Sequence, residues 1–476
     1  MDKIIHFETL GCRLNQDESE GAARCFSNAG FVSDMIPVTA KTEISDSVVL
    51  SIINTCTVTG KAEQKARRII RLLLEKFPAS VLVVTGCYAE LDGPLIRQIN
   101  PERICILSGT KKFMLSRIAE EAAGGVLDAQ KNLLTQSNVQ AFIDECSKKE
   151  VSATLNKFTL FTPVFEKHSR SSLKIQDGCN NNCSFCRIHL ARGKSVSLDV
   201  KDVLERAKDL EAHGAVEIVL TGVNLSQYAG RCADGALLSF GGLLKLLLAQ
   251  TQKVKYRVSS FYPQHVTEEL CAVLADERVQ PFFHLSIQSG SDAILAKMCR
   301  PYKVEHVERA VELLRKYKAG CFISCDIIAG FPGESKEDFA LTEELCRKCS
   351  FAWIHAFPYS ARPGTAAKDM KGQVAENIKA ERVKVLTSFA QAGKIDFIGN
   401  AVGKVFDAIV ENSRSIRMGL VASNVFHAVT DNYIHVEFTG SGFIAQGTVV
   451  KVKITSALED NIRTGKEIEA RGVLVS

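Results

Sequence analysis

KIQDGCNNNCSFC, residues 174–186, sets Cys179, Cys183 and Cys186 at i, i+4 and i+7. A short apolar run leads into the triplet and a basic loop with Arg192 and Gly193 follows it. Three thiolates so close in sequence can hold three corners of a cubane iron–sulfur cluster, leaving the fourth iron open to bind and activate another molecule. Zinc sites typically take paired ligands from two places, which one compact triplet does not supply. Sixteen cysteines in 476 residues will sometimes cluster in a core, where cysteine packs as a small hydrophobe. Here the neighbours are Gly178, Asn180, Asn181 and Asn182, so the triplet reads as cluster ligands.

From Ser171 onward the chain repeats. Strand-like LKIQ, VEIVLTG, KYRVSSF, FFHLSIQ, CFISCDIIAG and FAWIHAFPYS alternate with amphipathic helical stretches. Six such units predict a partial parallel (β/α)6 barrel, whose reactive groups sit at the carboxyl ends of its strands. The polar words fall at those ends: Gly222 and Asn224 after the second strand, Ser259 and Ser260 in the third, Gln288, Ser289 and Gly290 after the fourth. Gly330, Pro332, Gly333 and Glu334 follow the fifth, and Tyr359, Ser360 and Arg362 the sixth. Glycines there admit a ligand close to the backbone, and amides and hydroxyls can bind its polar parts. Gly-rich βα turns are common in themselves; five polar words on one rim are not.

Residues 1–125 also alternate strands (KIIHFETLG, SVVLSIINT, SVLVVTG) with helices, which predicts a parallel sheet covered by helices. Cys12, Cys56 and Cys87 each end one of these strands, at the sheet edge where α/β ligands bind. Convergence on a second cluster and chance placement in a core are both open on topology alone. Residues 126–168 carry no motif and read as a linker or peripheral wrap. Cys25, Cys105 and Cys146 read as structural. Residues 397–476 shift to short alternating strands, the pattern of a small antiparallel β-barrel. The fold class is therefore α/β: an N-terminal parallel-sheet domain, a central partial barrel over 169–396 and a C-terminal β-barrel.

Apolar content of 46% and charge of 24% are those of a globular protein. With 59 Lys+Arg against 54 Asp+Glu, the net charge of +5 does not announce a nucleic-acid binder. Residues 397–476 hold 8 of each sign, leaving Arg414, Arg417, Lys451 and Lys453 as a local patch. The helical stretch 61–76 carries Lys61, Lys65, Arg67, Arg68, Arg71 and Lys76; it is either a solvated amphipathic face or a phosphate-backbone contact. No stretch has signal-peptide layout or membrane-spanning length, so a cytoplasmic protein without membrane contact is expected. In a reducing compartment so many cysteines point to metal or redox chemistry.

The CxxxCxxC spacing resembles the signature of the radical S-adenosylmethionine (SAM) enzymes. FETLGCRLNQDESE, NTCTVTGKAEQKARRIIR and TGCYAE resemble the N-terminal domain of one subfamily, the methylthiotransferases. Their wording is most similar to the branch acting on threonylcarbamoyladenosine in tRNA. The resemblance implies two 4Fe-4S clusters, one on Cys179, Cys183 and Cys186 and an auxiliary one on Cys12, Cys56 and Cys87, with SAM as co-substrate. These six cysteines are the implied catalytic and metal-binding residues. Gly222, Asn224, Ser260, Gln288, Ser289, Gly330 and Tyr359 are the implied SAM contacts. It further implies a sulfur-group transferase that methylthiolates carbon 2 of the hypermodified adenosine 3′ of the anticodon. Its partners would be a tRNA anticodon stem-loop and a low-potential donor such as flavodoxin or ferredoxin. The terminal domain is similar to the RNA-binding TRAM module. Alternatives are methylthiolation of isopentenyladenosine or of a ribosomal-protein aspartate, and a non-catalytic iron–sulfur RNA sensor. Two departures stand out: Leu198 replaces an arginine of the family pattern, and His189 a proline. His189 is read as a satisfied surface histidine.

Overall fold

The structure is a computed structural model that describes residues 3–124, 134–148, 157–165, 169–418, 421–440 and 442–475. In the N-terminal domain five parallel strands run in the order β2-β1-β3-β4-β5, with β1 at Ile4–Thr9, β2 at Val32–Asp34, β3 at Val48–Thr55, β4 at Val81–Gly86 and β5 at Ile104–Ile106. The apolar runs of β3 and β4 suit strands covered on both faces, and nearly every residue in them is buried. Helices α1 (Arg13–Asn28), α2 (Gly60–Lys76) and α3 (Cys87–Arg97) open at the carboxyl ends of β1, β3 and β4. Within the stretch read as a linker, Gln136–Lys148 form a helix that buries Val139 and Ile143 in the core of this domain. Its Gln140 Oε1 accepts from the Ile106 backbone N–H at 2.9 Å, covering the exposed edge of β5.

The central strands are Ser171–Lys174, Glu217–Thr221, Lys255–Val258, Ser260–Phe261, Phe282–Gln288, Phe322–Ala329 and Trp353–Pro358, and every pairing among them is parallel. The third expected strand breaks at Ser259, so the barrel divides into three- and four-stranded sheets. The barrel is open between its first and last strands. Helix α1 packs at the first of these edges, where Asp17 accepts from the Ser172 hydroxyl and, at 3.0 Å, from the Thr221 hydroxyl.

The C-terminal domain is a closed five-stranded barrel. Four of its pairings are antiparallel; His435–Gly440 and Ala470–Val475 pair in parallel. An odd number of strands cannot alternate direction all the way round, so closure requires one parallel pair. The side chains of Arg414 and Arg417 lie outside the described residues, whereas Lys453 is exposed and Lys451 pairs with Asp407 at 2.9 Å.

Candidate active site

The three strand-end cysteines of the first domain come together because β1, β3 and β4 are adjacent and point the same way. Gly11, at φ +101°, brings the chain against Cys56; a Cβ there would lie 2.8 Å from its Sγ. Cys12 follows as the N-cap of α1 and Cys87 as the first residue of α3. Gly86, at φ +98°, turns β4 into α3 so tightly that a Cβ would sit 2.3 Å from the Thr55 carbonyl oxygen. Thiolates at helix N-termini are favoured by the backbone dipoles. Burial opposes this, raising the Cys12 thiol and pushing the Cys56 thiol up to about 11, while the Arg192 charge lowers both.

The second trio is held by backbone donors. Asn181 N–H and Ile188 N–H point at Cys179 Sγ and Cys186 Sγ, each at 3.4 Å, and Arg300 Nη1 donates to Cys183 Sγ at 3.2 Å. Burial pushes the Cys186 thiol up to about 12. Phe185 anchors the loop against Phe331, which in turn packs on Tyr359. Among the described residues neither trio has its sulfurs all within 4.8 Å of one another, whereas thiolates on a single zinc at ~2.3 Å would stand ~3.8 Å apart. Each trio is therefore spread more widely than ligands of one zinc, and its thiol donors are of the type that binds iron–sulfur clusters.

Of the expected SAM contacts, Asn224 is buried and its side chain faces the Cys179 sulfur. Ser260 opens the short strand past the break, and the neighbouring Ser259 Oγ, outside the expected set, is buried and unpartnered. Gln288 is buried at φ +74°, a strained conformation of the kind stored at functional sites. These groups form a polar lining beside Cys179. Gly222 packs against Gln176 and Leu225. Ser289 Oγ accepts from Ser291 N–H and Gly330 N–H donates to Glu334; the Tyr359 ring sits in an apolar cluster with its hydroxyl buried and unpartnered.

Two buried networks join the trios. Arg187, next to Cys186, donates to Glu63 at 3.2 Å and Asp92 at 3.1 Å; Arg362 bonds the same Glu63. Thr57, next to Cys56, also donates to Glu63. On the other side Arg192 contacts Asn15 Oδ1 at 2.8 Å, Glu18 at 3.1 Å and Asp177 at 3.0 Å. Lys174 bridges Glu18 and Asp177, and Lys112 bonds Glu18. Against the cost of burial, Asp177 and Glu18, with Cys87 and Cys12 behind them, hold the Arg192 guanidinium well above its usual range. A positive charge beside the first trio is thus supplied by the end of the short helix that follows the second.

Sequence reasoning missed Glu63, Arg187 and Arg300, although the position of Arg187 beside Cys186 was a signal. His189 departs from its reading as a satisfied surface residue. It is half-buried and its Nδ1 has no partner, because it lies on the short helix Ile188–Arg192 that enters the domain interface. Leu198, in place of the family's arginine, is buried in the barrel core.

A family model described as the Radical SAM superfamily matches residues 173–346, and one described as the uncharacterized protein family UPF0004 matches residues 4–108. The chain is 37% identical to threonylcarbamoyladenosine tRNA methylthiotransferase MtaB of Treponema pallidum, over 94% of this chain and 98% of the relative. It is 32% identical to the protein of that name from Bacillus subtilis, over 95% and 94%. It is 30% identical to tRNA-2-methylthio-N(6)-dimethylallyladenosine synthase of Serratia proteamaculans, over 97% and 92%. Among solved structures, the radical SAM methyltransferase TsrM of Kitasatospora setae, with cobalamin and a 4Fe-4S cluster bound, shares the fold at TM-score 0.50 and 14% identity, over 77% of each chain.

Proposed function

The chain belongs to the radical SAM methylthiotransferases, and on that premise we propose that it adds a methylthio group to carbon 2 of N6-threonylcarbamoyladenosine, 3′ of the anticodon in tRNA. The reading is carried by full-length similarity to relatives of that name. The meeting of two thiol trios across one domain interface supports it. Carbon 2 bears an unactivated aromatic hydrogen that acid–base groups do not replace; when bound, the two clusters and SAM supply the radical and sulfur-transfer chemistry.

The protein's own residues hold and orient. Cys179, Cys183 and Cys186 bind one cluster, and Cys12, Cys56 and Cys87 the other. Asn224 and Gln288 would contact SAM at the barrel mouth. Arg187, Arg362 and Arg192 fix the separation of the trios and exclude water between the domains. Lys61, Lys65, Arg68 and Arg71, all exposed on α2 just past Cys56, face the phosphate backbone of an anticodon loop, whose unpaired bases can be splayed into a pocket. Electrons come from a low-potential carrier such as flavodoxin or ferredoxin. The enzyme works in the cytoplasm, with its tRNA; among the described residues no helix is long and apolar enough to cross a membrane.

Nucleoside mass spectrometry of tRNA from a deletion strain tests the substrate. Loss of methylthio-threonylcarbamoyladenosine is expected. Its persistence, with loss of the methylthio-isopentenyl nucleoside instead, would reassign the substrate.

A further inference from the structure

Arg300 belongs to none of the motifs above. Cys299, at φ +56°, is held in a left-handed conformation just before it. The guanidinium lies against the edge-to-face pair of Tyr262 and Tyr302, 4.2 and 5.0 Å from their ring centroids. Nη1 donates to Cys183 Sγ at 3.2 Å and Tyr262 Oη at 2.8 Å, Nε to Tyr302 Oη at 2.7 Å, and Nη2 to the Ser286 carbonyl oxygen at 3.0 Å. Among the described residues no carboxylate lies within salt-bridge distance of it. Asp326, which feels its charge, is bonded to His284 at 3.1 Å.

Arg187, Arg192, Arg362 and Lys174 each pair with a carboxylate; Arg300 has phenols, a carbonyl and a sulfur. A buried charge without a counter-charge is costly, and the sulfur is the one partner here that takes a negative charge on binding metal. We propose that Arg300 is the built-in counter-cation of the cluster held by Cys179, Cys183 and Cys186, a positioning residue that raises its reduction potential through Cys183 Sγ. The inference rests on the reading that this trio binds a cluster. Reduction adds one electron, and hence one negative charge, to the cluster; the carrier proposed above supplies it. A fixed cation in a low-dielectric site favours the reduced form, and hydrogen bonds to ligand sulfur tune cluster potentials. The two rings and the Tyr302 hydroxyl, which also donates to the Ile287 carbonyl oxygen at 3.0 Å, prevent the side chain from swinging away.

The test is an EPR-monitored redox titration of the reconstituted full chain without SAM. Wild type, Arg300→Met and Arg300→Lys are compared in a background where Cys12, Cys56 and Cys87 are alanine, so that one cluster is observed. Loss of a charge-assisted hydrogen bond should lower the cluster's affinity for the electron about tenfold, which is ~59 mV for one electron. Arg300→Lys, which keeps the charge without the fork, should fall by less. A potential equal to wild type in Arg300→Met overturns the proposal, including the case where only SAM affinity changes. If Arg300→Met binds no iron, Arg300→Gln, which keeps a donor but loses the charge, takes its place, and a potential equal to wild type there overturns it. Absence of a cluster from the Arg300-containing control would refute the reading of the trio itself.

Discussion

Glu63→Gln is the sharpest test of how the two halves of the site are held together. Glu63 accepts from Arg187, Arg362 and Thr57, and its side chain is 13% exposed against 7% and 6% for the two arginines. Arg187 keeps Asp92 when Glu63 is neutralised, but Arg362 has no second carboxylate within salt-bridge distance among the described residues. Breaking a buried pair by removing one partner costs about 3–5 kcal/mol. Because the glutamine oxygen still accepts one bond, the low end, about 3 kcal/mol, is expected. That corresponds to roughly a hundredfold rise in the population of the locally opened interface. Hydrogen exchange should quicken in residues 57–65 and 184–192 while the core of β3 and β4 stays protected. In a double-mutant cycle with Arg362→Gln, the coupling energy should be about 2 kcal/mol. A coupling below about 0.5 kcal/mol, the level of independent sites, would refute the idea that this carboxylate latches the domains.

Two other perturbations separate the roles inside the site. Cys179→Ala should abolish SAM cleavage, whereas Cys56→Ala should spare cleavage and abolish methylthiolation; product from the Cys56 variant, measured by nucleoside mass spectrometry, would contradict the two-cluster account. Asp17 is buried, and desolvation raises its carboxyl to about 6 from 3.8, partly offset by the Ser172 hydroxyl. Since its folded value lies above the unfolded one, its stabilising contribution is full below about pH 4 and lost as pH rises through about 6, a swing on the order of 3 kcal/mol. Asp17→Asn should therefore exceed wild type in stability near neutral pH and match it below about pH 4. Urea unfolding at both pH values checks this, and a gap that does not change with pH would dispose of it.

The strand-end placement of Cys12, Cys56 and Cys87, the parallel barrel and the strand-end position of the polar words were legible because each rests on local information. Spacing within a loop, a βα period and a change to alternation are read within a few tens of residues. What Gly330 and Tyr359 touch was not legible locally: the Gly330 N–H donates to Glu334, and Tyr359 packs on Phe331 with its hydroxyl buried and unpartnered. Nor was the helix Gln136–Lys148, whose apolar residues pack on the core of the first domain.

What sequence alone determined, then, was which residues can hold metal and which strand ends carry them, because chain-local geometry puts them there. Tertiary structure decided what surrounds the sulfurs. Arg187 meets Glu63 from 124 residues away, Arg362 reaches it from 299, and Arg300 reaches Cys183 from 117. At such separations any arginine in the chain is a candidate partner for any carboxylate or thiol. The choice is made by which helix starts and strand ends the packed cores bring face to face. Burial then makes it stringent, because a charge removed from water must find its partner there or the interface does not form.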